Sequence, residues 1–457
     1  MTEDEPPAQP RGTKLILVVI DGLTPSMLEG ALGTRVAPTL TALAEHGTLG
    51  RATTTFPSLT PVCLSTIATG AHPDVHEIPH LVWWHRGERR LVEYGSSFGA
   101  ARAAGLGRTL RDTLVGMNAE HLGRNAVTVF EALADAGLET AAVNFTAYRG
   151  RTVHQPAVPL LGPVRGPERF YFYNLFRADR TGAPLSFRNR AAGSVDAYAA
   201  AVGRWLVTRD GFDFLLLYLS DYDYASHAAG PDAAADVLER CDAAVGGLVA
   251  AAGGMETFLE RYAVIVMSDH GQTAVTDVAR LGERFRHAPE TLVAASNRAA
   301  HLYRLGPDAP LPRALAEQLA GDPSVEIVLF AEDDAVVARR EGAELRIRAS
   351  GRGSVLEGDA RVLDHPDAVV RAVAAVRCPN AGDVVVSAAA GWEFEDLGGR
   401  HHLGGGSHGS LVEGDSIVPV LAVGLDGVAL RAVVDVAPAI LGHFGVRAPG
   451  YALERAA

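Results

Sequence analysis

The chain has 457 residues, of which 48% are hydrophobic and 21% charged, a composition typical of a soluble globular protein with a substantial core. Its formal net charge of −13 argues against binding to nucleic-acid polymers or to anionic membranes. Three cysteines do not suggest a disulfide framework, so we expect a cytoplasmic protein.

The periodicity of the chain predicts an α/β fold. Residues 1–12 are polar and predict a disordered leader, whereas the apolar run 15–20 predicts a strand buried on both faces. Further helices are expected over residues 38–46, 64–69, 126–136, 194–207 and 233–252, and further strands over 139–144, 212–219 and 262–267. Strands that alternate with helices indicate a mostly parallel central sheet with helices on both faces.

Two later segments depart from this alternation. Residues 153–190 are rich in proline, arginine and aromatic residues with little periodicity, which is consistent with a substrate-facing insertion or a packed surface loop. Residues 311–390 predict an inserted small α/β subdomain, so that 13–310 and 391–457 would form the main domain. The last elements expected are a strand over 417–424 and a helix over 428–444.

Aspartates follow three of the predicted strands. They are Asp21, Asp223 and Asp269. Because ligands of open α/β sheets bind at the carboxyl ends of the strands, these residues could converge on one site. Each also has a structural interpretation, since aspartate is common in turns and at helix starts.

Three histidines add metal-ligand character. His227 follows Asp223 by four residues, His270 follows Asp269, and His408 lies in a glycine-rich loop. Mixed carboxylate and imidazole ligands suit Zn²⁺ and also Mn²⁺, and six such residues are about what two ions require. Two divalent ions are therefore predicted, and Fe²⁺ would also fit these ligands; His401 and His402 are interpreted as loop residues.

The candidate nucleophile is Thr60, followed by Pro61 and a predicted helix that ends at Gly70. A hydroxyl at a helix N-terminus faces unpaired N–H groups, which favour an alkoxide and an anionic substrate. The alternative is that Thr60 only caps the helix. Ser58 and Ser65 are weaker candidates.

Taken together, these stretches resemble the alkaline phosphatase superfamily, and within it the nucleotide pyrophosphatase/phosphodiesterase branch. The matching residues are 18–22, 56–60, 69–76, 223–231, 268–271, 407–409 and 434–438. The resemblance implies an alkaline phosphatase-like three-layer sandwich and a small-molecule phosphoester substrate.

The resemblance also implies a site and a mechanism. One metal ion would be held by Asp223, His227 and His408, and the other by Asp21, Asp269 and His270 together with Thr60. Thr60 would attack phosphorus and form a covalent phospho- or nucleotidyl-threonine, which water then hydrolyses. The metals of the superfamily are usually zinc.

The chain departs from the branch at one position. Many members carry an asparagine after the nucleophile that binds a phosphoryl oxygen, but no asparagine lies between Thr60 and Gly70. The nearest polar candidate is Cys63, a weak donor, and it is the predicted substrate-binding residue.

The sequence leaves several functions to compare. A phosphodiesterase or pyrophosphatase is the leading interpretation, followed by a phosphomonoesterase or phosphonate hydrolase on the same scaffold. A phosphomutase would need a larger inserted domain than 311–390, and a sulfatase would need a Cys-x-Pro-x-Arg pattern that Cys63 does not begin. A catalytically inactive binding protein would not require chemically competent residues at all the predicted positions.

Overall fold

The computed structural model describes residues 13–156, 161–172, 195–350, 353–425 and 427–453. The predicted leader, residues 1–12, lies outside these ranges. So do residues 157–160 and 173–190 of the segment 153–190 that was predicted to lack periodicity.

Strands β1 to β22 are numbered in chain order along the described part of the chain. Their bounds are Lys14–Ile20, Thr48–Thr53, Val82–His85, Arg90–Glu93, Thr140–Val143, Thr152–His154, Val164–Gly166, Arg169–Tyr171, Phe214–Leu219, Tyr262–Met267, Thr273–Ala274, Asp277–Ala279, Thr291–Ser296, Ala299–Arg304, Val325–Glu332, Ala335–Arg340, Ala343–Ser350, Gly353–Gly358, Val384–Ala388, Trp392–Phe394, Gly406–Ser407 and Ile417–Val423.

Helices α1 to α17 are numbered in the same way. Their bounds are Pro25–Ala31, Pro38–Ala44, Thr60–Thr69, Pro73–His76, Phe98–Ala104, Leu106–Arg111, Val129–Asp135, Val195–Arg209, Asp221–Ala229, Ala235–Ala252, Met255–Arg261, Leu281–Arg284, Pro312–Gln318, Ala368–Arg377, Glu413–Ser416, Val436–His443 and Gly450–Leu453. A π-helix spans Asp112–His121, and 3₁₀-helices span Ala360–Leu363 and Val433–Asp435.

The main sheet has seven strands in the order β2-β22-β10-β1-β9-β5-β8. Strands β10, β1, β9, β5 and β8 are parallel, whereas β22 is antiparallel to both β10 and β2. The predicted α/β class with a mostly parallel sheet is confirmed. Strand β8 comes from the segment 153–190, whose first aromatic residues are therefore part of the sheet.

Helices cover both faces of the main sheet because its central strands are apolar on both faces. Along β1, alternate side chains enter two separate cores, and every residue from Leu15 to Ile20 is fully buried. Helices α3, α7 and α16 contribute to one core, and α2, α8 and α10 contribute to the other.

A second sheet of seven antiparallel strands has the order β13-β14-β19-β15-β16-β17-β18. Helix α13 packs on one face of it and α14 on the other. The predicted subdomain 311–390 supplies five of these strands, and β13 and β14 precede it in the chain.

The helix predicted over 428–444 was too long. The structure has a 3₁₀-helix over Val433–Asp435 and α16 over Val436–His443, so helix begins only at residue 433. Two tertiary contacts explain the late start: the Thr53 N–H donates to the carbonyl of Arg431, and Ala432 pairs with Thr53. The backbone of residues 431–432 is therefore used by the main sheet.

Candidate active site

Three central strands of the main sheet bring their carboxyl ends together. Strands β10, β1 and β9 are neighbours, with Val19 opposite Met267 and Ile20 opposite Leu219. Asp21 follows β1 directly, Asp269 lies two residues after β10, and Asp223 lies in the first turn of α9, just after β9. The three aspartates therefore share one edge of the sheet.

Gly22 allows this close approach. Its φ is +69°, and a Cβ added there would lie 2.9 Å from Asp223 Oδ1 and 2.7 Å from Gln272 Nε2. The Gly22 N–H in turn lies 3.3 Å from Asp269 Oδ1, to which it donates. The Asp-Gly pair is therefore more than a turn, because any side chain at position 22 would displace a carboxylate.

Asp21, Asp269 and His270 form one group of potential metal ligands, which we call the Asp269 site. One ligand atom of each lies within 4.8 Å of the others. His270 Nε2 lies 3.2 Å from Asp21 Oδ1 and 3.5 Å from Asp269 Oδ2, and all three residues are buried.

Asp223, His227 and His408 form a second group, the Asp223 site, with ligand atoms equally close. His227 Nε2 lies 3.2 Å from Asp223 Oδ2, and His408 Nε2 lies 3.8 Å from Asp223 Oδ1. The rings of His270 and His408 stack with centroids 3.6 Å apart, so the two sites are adjacent. The structure thus brings together all six of the predicted ligands.

Backbone carbonyls orient all three histidines. The Nδ1 atoms of His227, His270 and His408 lie 2.7, 3.1 and 2.8 Å from the carbonyl oxygens of Gly406, Gly271 and Ser58. A carbonyl can only accept, so each Nδ1 carries a proton, and Nε2 is the ring nitrogen that faces the carboxylates and could bind a cation. Histidines that bind metals are commonly held in this way.

The electrostatics of the two sites favour added positive charge. Burial raises the pKa of the Asp21 and Asp269 carboxyls, and nearby negative charge raises it further. Burial opposes protonation of His270, but Asp269 and Asp21 raise its pKa to about 10. Burial alone would raise the pKa of Asp223, but the attraction of the neighbouring His227 outweighs this effect. The pKa of Asp223 therefore lies below its usual range.

The donor set fits divalent cations. Asp21 Oδ1 and Asp269 Oδ2 are buried and receive no hydrogen bond from any described residue. Buried carboxylates this close repel one another unless positive charge, such as a cation, lies between them. Carboxylate and imidazole ligands of this kind suit Zn²⁺ and Mn²⁺.

Thr60 lies beside the Asp269 site, at the first residue of α3. Its Oγ1 is 3.1 Å from His270 Nε2, and the residue is only partly buried. The N-cap of α3 is Leu59, and no side chain caps the helix, so the Thr60 hydroxyl is not used as a cap. The other candidate hydroxyls are engaged elsewhere, because Ser58 donates to the Ser410 carbonyl and Ser65 to the Pro61 carbonyl.

A cavity of about 260 Å³ opens onto both sites. Thr60, Asp21, Asp223, His227 and His408 line it. The remaining wall is mostly uncharged and is formed by Pro61, Leu81, Tyr94, Gly95, Ser96, Thr113, Met117, Asn144, Thr146, Phe172, Tyr218, Ser220, Tyr224, Asn297, Arg400 and His402.

Several of these wall residues were not predicted. His402, interpreted from the sequence as a loop residue, stacks on His227 with ring centroids 3.9 Å apart, and its Nδ1 lies 2.7 Å from Glu393 Oε1. Asn297, whose Nδ2 lies 3.1 Å from His408 Nε2, and Arg400 had no motif around them. Only the nearness of His402 to His408 in the chain could have suggested one of them.

Cys63, the predicted substrate-binding residue, does not line the cavity. It is fully buried, and its Sγ accepts a hydrogen bond from Thr54 Oγ1 at 3.4 Å. The same Thr54 hydroxyl lies 2.5 Å from the carbonyl of Asp269. Cys63 therefore packs beneath the Asp269 site, because it lies on the inner face of α3.

The aromatic residues of the segment 153–190 divide between two environments. Phe170 and Tyr171 are buried on opposite faces of β8, while Phe172 lines the cavity. Tyr173 lies outside the described residues. One of the described aromatics is thus placed where it could contact a ligand.

Comparisons with known proteins agree on the fold. A family model described as type I phosphodiesterase/nucleotide pyrophosphatase matches residues 15–411. No curated protein matches the sequence.

Two solved structures are similar over nearly the whole chain. Phosphonoacetate hydrolase from Sinorhizobium meliloti, in complex with phosphonoformate, is 18% identical with a TM-score of 0.63, covering 95% of this chain and 96% of that one. Murine ectonucleotide pyrophosphatase/phosphodiesterase 5, in an inactive form with AMP, is 15% identical with a TM-score of 0.62 and the same coverage. These similarities confirm the predicted alkaline phosphatase-like fold. Within the described part of the chain, no helix has the length and apolar character needed to cross a membrane.

Proposed function

The chain belongs to the type I phosphodiesterase/nucleotide pyrophosphatase family and is a phosphoester hydrolase, and we propose that it cleaves a phosphodiester or pyrophosphate bond with Thr60 as nucleophile. The observation that carries the proposal is the environment of the Thr60 hydroxyl. It caps no helix, it lies 3.1 Å from His270 Nε2, and it opens into the cavity.

In this proposal two divalent ions occupy the two sites, with Zn²⁺ preferred and Mn²⁺ as the alternative. Asp223, His227 and His408 would hold one ion, and Asp21, Asp269 and His270, with Thr60, would hold the other. When bound, the ions supply positive charge that lowers the pKa of the Thr60 hydroxyl and of a water molecule and that stabilises the phosphoryl oxygens.

The reaction then proceeds on Thr60. Its Oγ loses its proton and forms a bond to phosphorus while the bond to the leaving oxygen breaks, and the leaving oxygen takes up a proton. The threonine ester that results keeps the other substituent of the phosphorus, so a nucleotide substrate gives a nucleotidyl-threonine. Water cleaves that ester and restores the hydroxyl. The N-terminus of α3 supports the step, because the partial positive charge of the helix dipole lies beside the Thr60 hydroxyl, where negative charge develops.

A second candidate is a phosphonate hydrolase. Its support is Arg400, whose exposed side chain lines the cavity and could pair with a carboxylate as well as with a second phosphate. The structural neighbour from Sinorhizobium meliloti is itself a phosphonoacetate hydrolase.

A metal-reconstituted activity screen tests both candidates. The protein is stripped of metal, reloaded with Zn²⁺ or Mn²⁺, and assayed on bis-p-nitrophenyl phosphate, p-nitrophenyl phosphate, a dinucleoside diphosphate and phosphonoacetate. We expect the diester or the diphosphate to be cleaved fastest. Phosphonoacetate as the preferred substrate would favour the second candidate.

Thr60→Ala and Thr60→Ser are assayed in parallel. We expect Thr60→Ala to keep both ions and to lose turnover by about 1,000-fold or more, while Thr60→Ser retains part of it, because only serine keeps a hydroxyl. Intact-mass measurement of acid-quenched samples would detect the covalent ester on Thr60. Equal activity of Thr60→Ala and the parent protein would remove Thr60 from the mechanism.

A further inference from the structure

Arg298 and Asp415 form an ion pair deep inside the protein. Arg298 Nη1 lies 2.8 Å from Asp415 Oδ1, and neither side chain has any exposed surface. The other two nitrogens of the Arg298 guanidinium, Nε and Nη2, donate to the carbonyls of Trp392 and Ala389 at 3.0 and 2.9 Å. Because burying two charges costs about as much as their attraction returns, stability alone is a weak reason for such a pair.

Asp415 contacts the segment that follows His270. Its backbone carbonyl accepts from the Gly271 N–H at 3.0 Å, and its Oδ1 accepts from Thr273 Oγ1 at 2.5 Å. A Cβ at Gly271 would lie 2.1 Å from the carbonyl of Gly414, so this segment runs directly against residues 414–415. Asp415 thus fixes the backbone beside one ligand of the Asp269 site.

The same pair also contacts the segment that carries His408. Asp415 Oδ2 accepts from the Ser410 N–H at 3.0 Å and from Ser410 Oγ at 2.7 Å. The Arg298 N–H donates to the carbonyl of His408 at 3.0 Å. The two segments are further linked by the pairing of Thr273 with Ser407 between β11 and β21.

We propose that the Arg298–Asp415 pair is a positioning pair that sets the separation of the two metal sites. The inference rests on the proposed function, since His270 belongs to one site and His408 to the other. A single buried carboxylate holds both segments, so a change there moves both histidines relative to each other. Neither residue of the pair lines the cavity, so they act through the ligands and do not touch substrate.

The test measures metal binding in addition to turnover. Asp415→Asn and Arg298→Met are compared with the parent protein by chelator competition with Zn²⁺ and by the visible absorption of the Co²⁺-loaded protein, which reports ligand geometry. We expect both variants to bind the ions about 10–100-fold more weakly and to show an altered Co²⁺ spectrum.

Asp242→Asn is the matched control. Asp242 is also a buried carboxylate, and it accepts the N–H groups of Leu40 and Thr39 at 2.7 and 3.2 Å, but it lies on α10 away from both sites. We expect this variant to lose stability while binding both ions as the parent protein does. Ser410→Ala removes one hydroxyl from the network, and it provides the test if the charge variants do not fold.

The outcomes separate the two proposals. Parent-like Zn²⁺ affinity and Co²⁺ spectra in Asp415→Asn and Ser410→Ala would overturn the positioning role and leave the proposed function intact. A parent protein that binds fewer than two ions would overturn the proposed function and this inference with it. Weaker binding in Ser410→Ala and not in Asp242→Asn would support the inference.

Discussion

Among single residues, the three histidines proposed as metal ligands show what residue identity alone does not specify. The sequence identifies His227, His270 and His408 as imidazoles near carboxylates, but the carbonyl that receives each Nδ1 proton belongs in two cases to a distant segment. Those carbonyls decide which nitrogen presents a lone pair. The same holds for Thr60, whose hydroxyl is available because Leu59 occupies the cap position.

His80 provides a test of burial at this scale. Its ring is fully buried between the carbonyls of Val82 and Ala299, and burial lowers its pKa from 6.5 to about 4. Between pH 6.5 and 4, His80 is therefore protonated in the unfolded chain and neutral in the folded chain. Neutral His80 therefore contributes its full stabilisation above pH 6.5. About 3 kcal/mol of the free energy of unfolding is lost as the pH falls from 6.5 to about 4.

We accordingly expect His80→Gln to flatten the dependence of stability on pH. Urea unfolding of the parent and the variant at pH 7 and pH 4.5 measures this, because other titrating groups cancel in the difference. His46→Gln, at an exposed histidine, is the control for the loss of an imidazole as such. A parent-like pH dependence in His80→Gln would show that folding does not lower the pKa of His80.

Among the elements, α3 shows how a helix that carries a functional residue is anchored at its far end. It begins at Thr60 and ends at Gly70, which has a φ of +66° and lies against α16. A Cβ at Gly70 would lie 2.8 Å from Pro438 Cδ. Gly137, which follows α7 with a φ of +80°, has no such neighbour within 4 Å.

These two glycines separate backbone strain from crowding. Gly137→Ala should lower the free energy of unfolding by about 1–2 kcal/mol, the cost of a side chain in the left-handed region. Gly70→Ala should cost about 1–3 kcal/mol more, because the methyl group also meets Pro438. Chemical denaturation of both variants measures the difference in the free energy of unfolding. Equal losses of free energy would mean that α3 and α16 move apart to accept the methyl group without cost.

Helix α16 illustrates the limit of local sequence patterns in predicting where an element begins. The apolar periodicity over 428–444 predicted a helix along the whole segment. The backbone of residues 431–432 instead pairs with Thr53 of β2, and the helix starts after them. In the same way, β8 was hidden in a segment without periodicity, because three residues beside β5 are enough to extend the sheet. Sheet hydrogen bonds to distant strands override local propensity in both cases.

For the whole molecule, the two proposed metal sites join residues that follow β1 and β10 with residues of α9 and of the loop before α15. Buried carboxylates that repel one another destabilise this junction when no cation is present. We therefore expect removal of metal by a chelator to lower the melting temperature and added Zn²⁺ to restore it. At 100-fold over the dissociation constant, each site would contribute about 2.7 kcal/mol.

Differential scanning calorimetry with and without Zn²⁺ measures this stabilisation. His227→Ala removes one ligand of the Asp223 site and should reduce the gain without abolishing it, since the Asp269 site stays complete. An identical melting temperature with chelator and with Zn²⁺ would mean that the carboxylates are accommodated without a cation.

The sequence by itself determined which chemical groups are available and where they stand locally: aspartates after apolar strands, Asp223 and His227 on one helix face, and Thr60 before a helix. Only the tertiary structure decided which of them meet, because the strand order β10-β1-β9 differs from chain order and no local period encodes it. It also placed Cys63 beneath the site and His402, Asn297 and Arg400 in the cavity wall. Contacts between residues hundreds of positions apart depend on sheet order and register, which arise from packing of the whole chain.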